Sequence, residues 1–228
     1  MLLLGVLVGF LYFLCLDRGA LHNRTTWTQT HLKWLRAQKL AGLYQETLDE
    51  YILHLTQLME KVERLDKRIE DLSNRETYKE AVDHMTCFIG IKRPTALAVI
   101  AEVGDFKRFA TACQFSSYLG LTPGEDSSGD GQKRLSITKA GNTHVRRLLV
   151  EAAQSYGRGK AGYKSKALKD RQEGNPPGVI AYADRANERL RRKYYSMLFR
   201  GKRANVAKTA LARELACFIW GMMNEKLA

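Results

Sequence analysis

From Leu48 onward the apolar residues fall at Leu48, Tyr51, Leu55, Leu58, Val62, Leu65, Ile69 and Leu72, in alternating steps of three and four. That spacing makes one stripe along a helix, the a/d seam of a heptad repeat, flanked by Glu60, Lys61, Glu63, Arg64, Lys67 and Glu70. It predicts a coiled-coil hairpin or dimer stalk, or else one amphipathic helix packed on its own domain. The helical pattern starts near Trp27, after the polar break "DRGALHNRTT". Further along, Pro94 and Thr95 open a helix that Ala96 to Val103 fill and Gly104 ends. "FATACQFSSYLGL" reads as another helix, ending at Gly120. Asn142 caps a helix to about Tyr156, with Val145, Leu148, Leu149 and Ala152 on one face. Two more helices cover roughly 179–199 and 204–223, separated by "RGKR". The last carries Leu211, Leu215, Phe218, Ile219 and Met222 at core spacing. The expected fold class is mainly α, with a long coiled-coil helical segment followed by a compact helical domain.

Two stretches break this pattern. "GLTPGEDSSGDGQKRLSITKAGN", residues 120–142, holds five glycines and one proline, and nothing in it has the look of a helix or strand that a core would need. "GRGKAGYKSKALKDRQEGNPPG" reads as a basic, glycine-containing loop. The chain divides into an apolar start and polar break (1–26), a coiled-coil or helical linker (27–83), a central domain (84–158) and a basic helical tail (159–228). Residues 1–16, "MLLLGVLVGFLYFLCL", are apolar, yet fall short of the about 20 residues a spanning helix needs and lack a basic n-region. A buried or partner-facing helix, or a chain start that does not belong to an intact protein, is expected there ahead of a membrane anchor.

Charge sharpens the picture. Of 37 Lys and Arg, 22 lie in residues 131–228 against 7 Asp and Glu, so the whole positive excess sits in the C-terminal half. Charge kept only for solubility would not segregate so sharply, and the asymmetry points to a nucleic-acid surface. Cys15, Cys87, Cys113 and Cys217 lie far apart without metal-ligand spacing. That argues against a zinc site or disulfide framework and fits a reducing cytoplasm.

"CFIGIKRPTALAVIAEVG" is similar to a helix-hairpin-helix, whose turn N–H groups and following helix N-terminus bind a DNA phosphate without reading sequence. Gly90, Lys92 and Arg93 are its candidate contacts, although Lys92 stands where the second glycine of such hairpins would be; an ordinary helical turn in a core fits the same residues. In the 120–142 segment, Ser127 and Ser128 stand beside Lys133, Arg134 and Lys139, with Arg146 and Arg147 one short element later. A serine attacking a phosphodiester needs exposure, cations around the developing charge and backbone freedom, and this composition offers all three. His144 is alone in sequence, with no Asp–His pair nearby. Tyr194 and Tyr195 lie in an Arg-rich helix without the Arg-His-Arg constellation of a tyrosine recombinase, so they read as stacking or core residues.

The ordered set of hairpin-like turn, "GDFKRF", "YLGLTP", "SSG" and "ITKAGN…RRLL" resembles the C-terminal transposase domain of the bridge-RNA-type insertion-sequence transposases, the IS110/IS116 group. The resemblance is close from about Thr86 to Tyr156. It implies DNA transposition in which a loop serine, here Ser128 with Ser127 as the alternative, forms a covalent link to DNA. It also implies DNA as partner, room for a guide RNA, and a homo-oligomer joined through the coiled coil. In that family Mg²⁺ belongs to an N-terminal RNase-H-like acidic domain, which nothing upstream of Trp27 resembles. No cofactor or metal ligand is therefore assigned to this chain, and a truncated copy is expected. The alternatives are a non-catalytic DNA-binding and dimerisation module and, on residues 1–16 alone, a membrane-anchored coiled-coil protein.

Overall fold

The computed structural model describes residues 29–40, 42–125, 134–160 and 162–227. The expectations for residues 1–16, Ser127, Ser128 and Lys133 lie outside them. The described chain is 73% helical, a mainly α fold. It divides between Lys67 and Arg68 into two compact units.

In the first unit, helix α1 (Gln29–Arg36) and most of α2 (Leu43–Ser73) share a small core of Leu32, Leu35, Leu48, Ile52 and Leu55. The buried face of α2 runs through Ile52, one residue off the expected seam, because Leu32 and Leu35 cover that side. Leu58 is half-buried, and the two seam positions after it are uncovered: Val62 is 57% and Leu65 49% exposed.

The second unit contains α3 (Glu76–Thr86), α4 (Arg93–Val103), α5 (Ala112–Tyr118), strands β1 (Pro123–Glu125) and β2 (Arg134–Ile137), α6 (Thr143–Ala153), α7 (Lys166–Gln172), α8 (Pro177–Phe199) and α9 (Ala204–Met223). One core cluster runs from Val82 to Met222, so the expected boundary at 158/159 falls inside shared packing. α9 supplies Leu211, Leu215 and Ile219, all fully buried, and packs against α5, α6 and α8. α8 buries Val179, Tyr182, Ala183, Ala186, Leu190 and Tyr194, the three-and-four spacing of a core-facing stripe. Tyr194 is thus a core residue, and Tyr195 is tied to the backbone, donating from its hydroxyl to Gly159 O at 2.7 Å.

Two stretches expected to be irregular contain regular structure. α7 forms within the basic 157–178 loop, where the Ser165 hydroxyl accepts from Leu168 N. In residues 120–142 a short antiparallel pair joins Pro123 to Ile137 and Glu125 to Arg134, with a register shift between them. Strands of three and four residues are too brief to show a period of two in the sequence.

Candidate functional site

The two-stranded hairpin is rooted by two glycines. Gly120 (φ +64) presses on the Ala140 backbone, where a Cβ would come within 2.2 Å of the Ala140 carbonyl oxygen. Gly141 (φ +110) likewise sits against Tyr118, leaving 2.0 Å from a Cβ to its oxygen. Only glycine meets both the left-handed backbone and the close approach. Hydrogen bonds from Asn142 N to Tyr118 O, Lys139 N to Gly120 O and Thr138 N to Thr122 O close the root. Residues 126–133, with both candidate serines, are the sequence between the paired ends Glu125 and Arg134.

Beside this root stands a polar knot. Asn142 caps α6 through Val145 N, while its amide nitrogen donates to Glu102 Oε2 at 3.1 Å and to the Tyr118 hydroxyl at 3.2 Å. His144 Nδ1 lies 3.0 Å from Glu102 Oε1. His144, alone in sequence, therefore has a carboxylate partner contributed by α4. The hydrogen bonds from His144 and then Asn142 hold the Glu102 carboxyl below its ordinary range.

The candidate phosphate contacts separate by what their side chains already do. Lys92 and Lys139 are exposed, as is Arg147, whose i,i+4 partner Glu151 is 4.0 Å away. Arg146 is committed, donating to Leu119 O at 2.9 Å. Arg93 is committed more heavily: it donates to Asp83 Oδ1 at 2.8 Å, Asn74 Oδ1 at 2.6 Å and Ser73 O at 3.4 Å. Its Nε also lies 3.3 Å from Glu70 Oε1. It fastens the end of α2 to α3 and α4, at the edge of an open cleft of about 590 Å³ that Lys92 and Arg171 also line.

The turn between α3 and α4 is a helix–turn–helix in outline, and several of its donors are taken up internally. Cys87 N donates to His84 O and Phe88 N to Met85 O at the end of α3, Ile91 N donates to Phe88 O, and Ile89 N donates to Asn187 Oδ1 at 2.9 Å. Gly90 (φ +83) is pressed on α6, where a Cβ would stand 2.2 Å from Ala152 O. The glycine serves close helix packing here, and the Ile89 and Ile91 N–H groups are taken up inside the fold. Asn187 is the hub that sequence reasoning missed. Its Oδ1 also accepts from the Tyr156 hydroxyl at 2.8 Å, and its Nδ2 donates to Cys87 O at 3.1 Å. Burial raises the Cys87 thiol to about 11.

The Arg-rich face of α8 is also largely committed. Arg189 and Lys193 both pair with Glu214, and Arg192 donates to Glu188 Oε1 at 2.6 Å. Arg191 is buried and holds the carbonyls of Arg158, Lys160 and Tyr163, clasping the loop before α7. Burial alone would raise the Glu214 carboxyl, but the hydrogen bonds from Lys193 and Arg189 outweigh it and hold it low. Among the described residues no group of three or more His, Cys, Asp or Glu is placed to hold a metal ion, so they do not fit a Mg²⁺ site. Among them, too, no helix is long and apolar enough to cross a membrane.

A root with paired glycines, an Asn-capped α6 and two buried helix turns is the arrangement built by the segment that matches the Transposase IS116/IS110/IS902 family, residues 84–167. Those residues match an insertion-sequence transposase family. The chain is similar to y4qE of Sinorhizobium fredii, named as a transposase, with 34% identity over 203 residues, 89% of this chain and 48% of y4qE. It is 28% identical over 181 residues to the transposase for insertion sequence element IS1533 of Leptospira borgpetersenii, covering 75% of this chain and 49% of that one. With the transposase for IS1111A of Coxiella burnetii it shares 33% identity over 100 residues, 44% and 28% of the two chains. The chain spans about half the length of the first two relatives. The transposase-family segment contains the hairpin root, the Glu102–Asn142–His144 knot and the 126–133 sequence.

Proposed function

We propose that this chain is a DNA-binding part of an insertion-sequence transposase in which Ser128, or Ser127 beside it, attacks a DNA phosphodiester. In that step the serine Oγ forms an ester bond to phosphorus as the bond from phosphorus to a deoxyribose oxygen breaks. The departing oxygen takes up a proton, and a later attack by a DNA hydroxyl reverses the ester. The observation that carries the reading is the transposase-family match over 84–167, with the two serines lying between strands whose ends are pinned. Exposed Lys139 and Arg147 flank the same root and suit phosphate contacts.

The uncovered stretch of α2 completes the proposal. Val62 lines an apolar groove of about 630 Å³ with Leu32, Leu55, Leu58 and Met59. Glu60, Glu63, Lys61 and Lys67 flank it with both signs of charge, as a helix from a second copy requires. The chain self-associates through this face.

The test of the chemistry is incubation of the full chain, with and without Mg²⁺, with labelled DNA bearing its element's ends, followed by denaturing gels. An adduct that vanishes in Ser128→Ala and persists in Ser127→Ala establishes the nucleophile. Binding without any adduct under either condition supports the non-catalytic DNA-binding module instead.

A further inference from the structure

Three of the cations that no carboxylate pairs stand close together in sequence, in the turn between α8 and α9 and at its edge. From Arg189 to Arg213 the sequence holds nine Lys and Arg and no Asp or Glu. Glu188 and Glu214, at the two ends of that stretch, are taken by Arg189, Arg192 and Lys193. Among the described residues none of Arg200, Lys202 and Arg203 pairs with a carboxylate. Residues 199–206 are all exposed.

An aromatic ring stands in the middle of this charge. Phe199, the last residue of α8, is 94% exposed. The turn that carries it is fixed by its backbone. Gly201 (φ +74) donates to Leu198 O at 2.9 Å and Lys202 to Met197 O at 3.0 Å. That is the Schellman pair that closes a helix C-terminus. An apolar residue often follows such a turn and folds back over it; here the position is Lys202. Phe199 therefore contributes nothing to the core, and the turn that carries it, with its backbone fixed, also carries Arg200, Lys202 and Arg203.

We propose that this turn is a binding site for unpaired nucleic acid, with Phe199 stacking on an exposed base and Arg200, Lys202 and Arg203 contacting the adjoining phosphates. A polyanion satisfies all three cations, which an apolar protein face would leave desolvated. A duplex offers its charge but keeps its bases stacked, so the ring has no use there; a single strand offers both. A lone ring buries too little apolar surface to anchor the turn in a membrane. The site deepens the nucleic-acid reading given above and is independent of the serine.

The experiment measures binding of the full chain to labelled oligo-dT, oligo-rU and a DNA duplex at fixed salt. Phe199→Ala should weaken single-strand binding by roughly 5- to 150-fold, the loss of one base–aromatic stack, and leave duplex binding within about twofold. Phe199→Trp should retain single-strand affinity and gain a fluorescence signal that oligo-dT quenches and the duplex does not. The dT and rU arms show which sugar the site accepts. Arg200→Ala with Lys202→Ala and Arg203→Ala should flatten the log–log salt dependence on oligo-dT by about 2, at roughly 0.7 for each lost phosphate contact. Unchanged oligo-dT binding in Phe199→Ala overturns the proposal. So does an equal loss on duplex. A parent chain that binds oligo-dT but no duplex leaves this site standing and counts against duplex recognition alone.

Discussion

Gly141 lies against the carbonyl oxygen of Tyr118, with room for a hydrogen and not for a methyl group: an added Cβ would stand 2.0 Å from that oxygen at φ +110. Gly141→Ala should therefore destabilise the second unit by about 3 kcal/mol, combining backbone strain with a steric clash against main chain. Chemical denaturation reads the loss directly. A midpoint within error of the parent's would mean that the root can open without cost.

The Glu102 knot makes a pH prediction. The hydrogen bonds from His144 and Asn142 lower the folded carboxyl's affinity for protons relative to its ordinary value of 4.5. Its contribution to stability is thus present above about pH 4.5 and is lost as pH falls through the lower folded value. Glu102→Gln should lower the melting temperature at pH 6, and the gap from the parent should narrow toward pH 3. Parallel melting curves across that range would contradict the assignment.

Arg93 and its neighbour Lys92 should part company. Arg93→Ala leaves Asp83 and Glu70 without their shared cation and should cost about 1–2 kcal/mol of stability. It should leave the salt dependence of DNA binding unchanged. Lys92→Ala should spare the fold, and where Lys92 does meet a phosphate it should reduce the salt slope on duplex DNA by about 0.9. A reduced slope in Arg93→Ala at intact stability would reassign that residue to the DNA surface.

Replacing Val62 and Leu65 together by Glu should convert an associated chain to a monomer without loss of helix, because both are half-exposed in the single copy. Sedimentation velocity, with circular dichroism as the control, measures this. A monomeric parent chain would remove self-association through α2 from the proposal.

What could be read from the sequence was whatever local chemistry decides. The Pro94 opening and Gly104 end of α4, the Asn142 cap of α6 and the spans of α8 and α9 are fixed by residues within one turn of each boundary. What could not be read depends on partners far along the chain. Ile89 and Asn187 are 98 residues apart, and the carboxylate that partners His144 is 42 residues upstream. Gly90, Lys92 and Arg93 have the composition of a phosphate-binding hairpin. Only packing shows that the glycine faces Ala152 and that the arginine is spent on Asp83 and Asn74. The cations of α8 look alike in sequence, and only Glu188 and Glu214 distinguish the neutralised ones from those beyond Phe199.

The pairing of Glu125 with Arg134 brings the two ends of an eight-residue stretch side by side on a root that the core fixes independently. Such an arrangement behaves as a socket. Residues can be added or removed on either side of Ser127 and Ser128, each doubling of the segment's length costing only about 0.6 kcal/mol in closure entropy. The reach of the serine pair can thus change while Gly120 and Gly141 keep the rest of the domain as it is.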